Sequence, residues 1–177
     1  VKNADLQAAE SAVKGRLRLF LHGSIIVVIG LVSGFGFLFV ILDSVTVWPI
    51  TIDLDSAFPG SERGWRVAHV AGVLNGFMMM IAGLALVHIQ STLRAQAWIV
   101  WGLIYTGWGN TVFFHFANFS NNRSLSAGTT KYGEADLNGV VGYLVGASTI
   151  PFTIIAFALI GISAYRLLKE KKYGPDH

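Results

Sequence analysis

Residues 60–76 read GSERGWRVAHVAGVLNG. The segment leaves a polar loop at Ser61-Glu62-Arg63 and enters an apolar run, with His69 about one and a half turns inside it. Gly72 and Gly76 follow three and seven residues later, so they share one helical face with His69. That face is a smooth strip beside an imidazole. A flat macrocycle could lie along the glycines with its iron on His69. Alternatively, the glycines form a small-residue seam against another helix, where His69 bonds a neighbouring carbonyl.

The surrounding chain puts this segment in a membrane. Of 177 residues, 53% are hydrophobic and only 13% are charged, which is too apolar for an ordinary soluble domain. Apolar segments near 17–45, 65–89, 97–119 and 137–168 are each long enough to cross hydrocarbon, which takes about 20 residues. The first is too long for a removable signal peptide. In lipid only helices and closed barrels satisfy the backbone, and these runs lack the alternating polarity of barrel strands. The expected fold is an all-α, integral membrane four-helix transmembrane bundle, one domain over 1–177.

Charge sets the expected orientation. Nine basic residues (Lys2, Lys14, Arg16, Arg18, Arg94, Arg166, Lys169, Lys171 and Lys172) fall on one side of a four-span topology. Arg63, Arg66, Arg123 and Lys131 fall on the other. Both termini are therefore expected to be cytoplasmic, in a bacterial inner membrane. The basic residues sit at helix ends, so the net charge of +3 does not point to nucleic acid. The absence of cysteine excludes disulfides, thiolate-ligated haem, iron–sulfur clusters and c-type haem attachment. No P-loop, dinucleotide fingerprint, serine–histidine–acid set or paired intramembrane carboxylates are present.

Several residues carry candidate chemistry. Asn75 lies six residues after His69, about 9 Å further along the axis and a third of a turn round. It would border a macrocycle or bond another helix, because an unpaired amide at that depth is costly. Met78, Met79 and Met80 read as soft core residues rather than thioether ligands. On the third helix Asn110 shares a face with Phe114, while Trp108, Thr111 and His115 share another. His115 is a less favoured second ligand that could meet the same iron as His69, as in b-type cytochromes. His22 and His88 read as packing or interfacial residues, and Tyr143 and Ser148 are the polar features at depth on the fourth helix.

The two outer loops are read as solvated. Asp43 should reach the interface, and Asp53, Asp55 and Glu62 lack calcium-loop spacing. Ser61 is a weak candidate cap for the second helix. Asn118 and Asn122 fit the glycosylation sequon but are discounted, because nothing indicates a eukaryotic host.

Taken together, these motifs resemble the styrene oxide isomerases. They are PGSERGWRVAH at 59–69 with Asn75-Gly76, Gly107-Trp108-Gly109-Asn110, NFSNNRSLSAG at 118–128, Tyr132-Gly133 and the His22-Gly23 pair. The similarity covers about residues 20–165, and the motifs are specific as a set rather than singly. The resemblance implies a membrane homotrimer with haem b between protomers, acting on a small apolar aryl epoxide. Ferric iron would act as a Lewis acid, the ring would open toward a benzylic cation, and a 1,2-shift would give an aldehyde.

By the same resemblance His69 is the axial ligand and Asn75 the pocket asparagine; from their own placement Gly72, Gly76 and Asn110 are expected beside the cofactor. One departure stands out. The family's pocket tyrosine falls on Phe114, so that position lacks a hydroxyl, and Phe114→Tyr is expected to raise the rate. The competing expectations are a haem b-bearing accessory or electron-carrying subunit of a larger membrane complex, and a haem-free structural membrane protein.

Overall fold

The computed structural model describes residues 2–42, 44–54, 58–89 and 91–173. The elements in order are α1 (Lys2–Ile41), β1 (Ser44–Val47), β2 (Ile50–Asp53), α2 (Glu62–Leu86), α3 (Leu93–Asn118) and α4 (Leu137–Tyr173). By length and composition α1, α2 and α4 can each cross a membrane. At 26 residues α3 is also long enough, about 39 Å, and it carries several polar groups. Those groups turn inward: Gln96, Thr106, Thr111 and Asn118 are all buried. The fold is the expected helical membrane bundle, with exposed Leu, Ile, Val and Phe forming its outer surface.

Two boundaries differ from the sequence expectation. α1 begins near the N-terminus instead of at 17, because residues 6–16 are rich in helix formers and have something to pack on. Ala12 and Gly15 are buried, a Cβ on Gly15 would meet Leu86 and Val100, and Gln96 Nε2 donates to the Ala8 carbonyl at 3.1 Å. α1 then stops at Ile41 instead of 45, because Ser44–Val47 pairs with Ile50–Asp53 in an antiparallel hairpin. The β-branched pairs Val45–Ile52 and Thr46–Thr51 suit a pleated ribbon, although the segment reads as an irregular loop. Asp43 and Asp55 lie outside the described residues.

Each later helix starts on a side-chain cap. Ser61 Oγ accepts from Gly64 N–H at 3.0 Å, so the cap forms without a capping-box glutamate. Thr92 does the same for α3 through Ala95 N–H. Before α4, Asp136 accepts from Gly139 N–H at 2.7 Å, and that bond holds its carboxyl below the usual range.

Glycines set the packing. α1 lies against α2 so closely that a Cβ on Gly72 would sit 2.7 Å from Gly30 Cα. α3 meets α4 through Gly102, Gly109 and Gly146. Leu19, Ile26, Met79, Leu86, Ile99 and Leu103 fill the space where α1, α2 and α3 converge. Met79 is wholly buried, and Met78 packs against the same cluster. α4 packs on α3 and makes no comparable contact with α1 or α2. A cleft therefore opens between α2 and α4, with α3 as its floor.

Candidate functional site

His69 faces α1. Its Nδ1 lies 2.8 Å from the Gly30 carbonyl, which can only accept, so Nδ1 carries the proton. Nε2 keeps its lone pair and has no hydrogen-bond partner among the described residues. A ligating histidine held by a carbonyl through its other nitrogen has this arrangement. Gly34 makes room for the ring, since a Cβ there would be 2.9 Å from Nδ1. The imidazole is half-buried, next to the exposed apolar strip of Val70, Leu74 and Phe77. Among the described residues no three His, Asp or Glu side chains converge. The donor set therefore suits a metal already held by a macrocycle, not a bare ion.

The glycine strip is not open. Gly72 touches Gly30, and a Cβ on Gly76 would run into Val27 and the Gly23 carbonyl. Both glycines are taken up by the α1–α2 seam, so the expectation that they bed a macrocycle is corrected. Close backbone approach gains continuous van der Waals contact along that line, which a ligand there would have to displace.

Asn75 lies about 120° round α2 from His69 and faces α3. Its Nδ2 donates to the Ala71 carbonyl at 2.8 Å, and its Oδ1 accepts from Asn110 Nδ2 at 3.1 Å. Thr149 Oγ1 lies 3.3 Å from Asn110 Oδ1, but its single hydrogen is shared with the Gly146 carbonyl at 2.7 Å, so the link from α3 to α4 is the weaker one. Asn75 and Asn110 are thus brought together, while His69 is on a different face of α2. Replacing Asn110 with Leu should lower thermal stability in detergent only modestly, by about 1 kcal/mol, since interhelical hydrogen bonds in membranes average about 0.6.

His115 sits between α3 and α1. Its Nδ1 is 2.8 Å from the Thr111 carbonyl and its Nε2 is 3.0 Å from Ser33 Oγ, whose hydroxyl also donates to the Ile29 carbonyl at 2.9 Å. Trp65 stands edge-on to its ring at 6.2 Å. His22 accepts from Trp108 Nε1 at 3.1 Å, which makes it a packing residue, and His88 is exposed at the end of α2.

Phe114 is on the floor of the cleft and borders two adjoining cavities. One, of about 420 Å³, is at the loop end of the bundle between α2 and α3, with Arg63 and Arg123 at its rim. The other, of about 460 Å³, lies between α3 and α4 and is lined almost entirely by apolar surface. The loop above them is built around Asn122. It is fully buried, donates to the Ser126 and Gly128 carbonyls, and accepts from Ser124 N–H. This frame holds Arg123 and Ser124 at φ of 62° and 52°, a conformation that costs non-glycine residues energy. Arg123 is stacked 3.8 Å over Tyr132. The asparagines of both sequons are structural, with Asn118 Oδ1 accepting from Ser61 N–H.

A family described as Styrene oxide isomerase matches residues 15–165. The chain belongs to that family. It is also 28% identical over 149 residues to the styrene-oxide isomerase of Pseudomonas fluorescens, covering 84% of this chain and 86% of that protein. Styrene oxide isomerase family membership supports an isomerase-type activity on an epoxide. It also gives the cleft a chemical context. An epoxide needs an apolar, water-poor wall and a few donors near its oxygen.

The cleft beside α4 was not found from sequence. Tyr143, Thr149 and Thr153 line it, together with Ser124 from the loop. Their spacing along α4 was a visible signal, because residues 143, 147, 150 and 154 follow the helical repeat.

Proposed function

We propose that the protein isomerises an aryl epoxide such as styrene oxide to the corresponding aldehyde, using haem b held by His69. The observation that carries this reading is the His69 ring: proton on Nδ1 at the Gly30 carbonyl, Nε2 free at the bundle surface. When bound, haem b supplies a ferric Lewis acid for the epoxide oxygen.

The chain's own residues supply the surroundings. His69 and the cleft face directions about 120° apart, so a flat ligand that meets both lies between two protomers. His69 of one protomer then faces the cleft of the next. Repeated head to tail, such a contact closes a ring, which agrees with a homotrimer. The cleft walls keep water from the opening epoxide, so the benzylic cation rearranges rather than adding water. The aromatic faces of Phe113 and Phe114 border this space and favour positive charge. As the benzylic C–O bond breaks, hydrogen migrates with its electron pair to the benzylic carbon and C=O forms. No net oxidation occurs. The protein works in the bilayer, in our reading a bacterial inner membrane, and its apolar substrate enters from lipid.

In the electron-carrying alternative, His115 could serve as second ligand only by giving up its contacts to Thr111 and Ser33. The test is turnover. Purified protein with its haem content measured per chain is given styrene oxide, and phenylacetaldehyde is followed. Production of the aldehyde without diol supports the proposal. Fully haem-loaded protein that makes no aldehyde rejects it.

A further inference from the structure

The cavity between α3 and α4 contains a hydroxyl that the packing does not use. Ser124 Oγ donates to the Asn138 carbonyl at 3.3 Å, and Thr149 Oγ1 to the Gly146 carbonyl at 2.7 Å. Thr153 Oγ1 donates to the Thr149 carbonyl at 2.9 Å. Asn110 points its amide at Asn75. Each of those hydroxyls has one hydrogen, and it is committed. Tyr143 is the exception. Its side chain lines the same cavity and makes no hydrogen bond among the described residues. The other phenol on this side, Tyr105, bonds Ser148 at 2.6 Å, so a free tyrosine hydroxyl here is not the rule. A half-buried phenol in an apolar wall gains by finding an acceptor, and a ligand oxygen is the acceptor this cavity can admit.

We propose that Tyr143 is a catalytic residue whose O–H donates a hydrogen bond to the epoxide oxygen as its C–O bond breaks. This assignment rests on the isomerase reading given above. The bond strengthens as negative charge gathers on the oxygen, and it relaxes once that charge moves into the C=O bond. The phenol keeps its proton throughout: one C–O bond breaks, one hydrogen migrates between carbons, and no co-reactant is required. Phe114 borders the same cavity, so α4 supplies here the hydroxyl that position 114 lacks. Accordingly Phe114→Tyr should add little to the native chain, contrary to the expectation from sequence.

The experiment compares wild type, Tyr143→Phe, Phe114→Tyr and the double variant in detergent or nanodiscs. Styrene oxide turnover, haem per chain and inhibition by phenylacetaldehyde are measured for each. Loss of one such donor corresponds to about 10²-fold in kcat, so Tyr143→Phe should fall by that order with haem per chain unchanged. Its inhibition constant for phenylacetaldehyde, whose carbonyl would accept from the phenol, should rise about tenfold, the effect of one ordinary hydrogen bond. In that background Phe114→Tyr should recover at least part of the rate. A Tyr143→Phe chain with wild-type kcat overturns the assignment while leaving the isomerase reading intact. So does a chain that loses its rate and its haem together, because Tyr143 would then be structural. Wild-type protein that is haem-replete and inactive removes the isomerase reading and this assignment with it.

Discussion

His69→Ala should abolish haem binding and reduce epoxide turnover by about 10³-fold or more. A metal Lewis acid contributes several kcal/mol to such a step, and each 1.36 kcal/mol is a factor of ten. The loss should not be secondary to unfolding. Gly30 is interior to α1, where its carbonyl can also accept within the helix, so losing the ring leaves no buried acceptor stranded. The imidazole is only half-buried, and its removal opens space at the edge of the α1–α2 seam, not in the central core. Membrane insertion and oligomer size should be retained, while the haem absorption band disappears. Undiminished haem in the purified variant would refute ligation by His69.

Gly72→Val should be among the most damaging substitutions for the fold. A Cβ at 72 would stand 2.7 Å from Gly30 Cα and 3.2 Å from Gly30 N. Those are backbone atoms, so no side chain can swing aside, and two helices must separate along their length. Overpacking costs typically 1–3 kcal/mol and more where backbone must shift, so about 3 kcal/mol is expected. For a chain of this size that corresponds to a fall of roughly 6–12 °C in Tm. Gly161 has nothing within 4 Å, so Gly161→Ala should leave Tm unchanged or slightly higher. The pair also separates two roles for the strip. If Gly72 bedded a macrocycle instead of α1, Gly72→Val would strip haem while the haem-free protein kept its wild-type Tm.

Much of this architecture was legible because apolar length and charge placement are one-dimensional properties. The run around His69, the positions of three later helices and the pairing demand on Asn75 all follow from residue type and depth. What was not legible depends on which face meets which neighbour. His69, Gly72 and Gly76 share a face under either reading, and only the position of α1 decides that the strip is covered. The hairpin at 44–53 was masked by Trp48-Pro49, which reads as a turn without revealing that its flanks pair. The residues ahead of 17 favour helix, but that they extend α1 shows only when α3 is placed beside them. Likewise Tyr143 became prominent only when every other hydroxyl in its cavity was seen to have a partner.

A mixed oligomer tests the shared site most directly. One chain carries His69→Ala with an intact cleft. The other keeps His69 but has its cleft filled by Ala147→Trp, at a residue lining the cavity between α3 and α4. Each is inactive alone. The two are co-expressed with different tags and purified by both, and haem and styrene oxide turnover are measured per oligomer. In a head-to-tail trimer every mixed ring has one junction where an intact His69 faces an intact cleft, so about one third of wild-type activity should return. Mixed oligomers that are as inactive as either parent would contradict a site built between protomers by His69 of one and the cleft of the next.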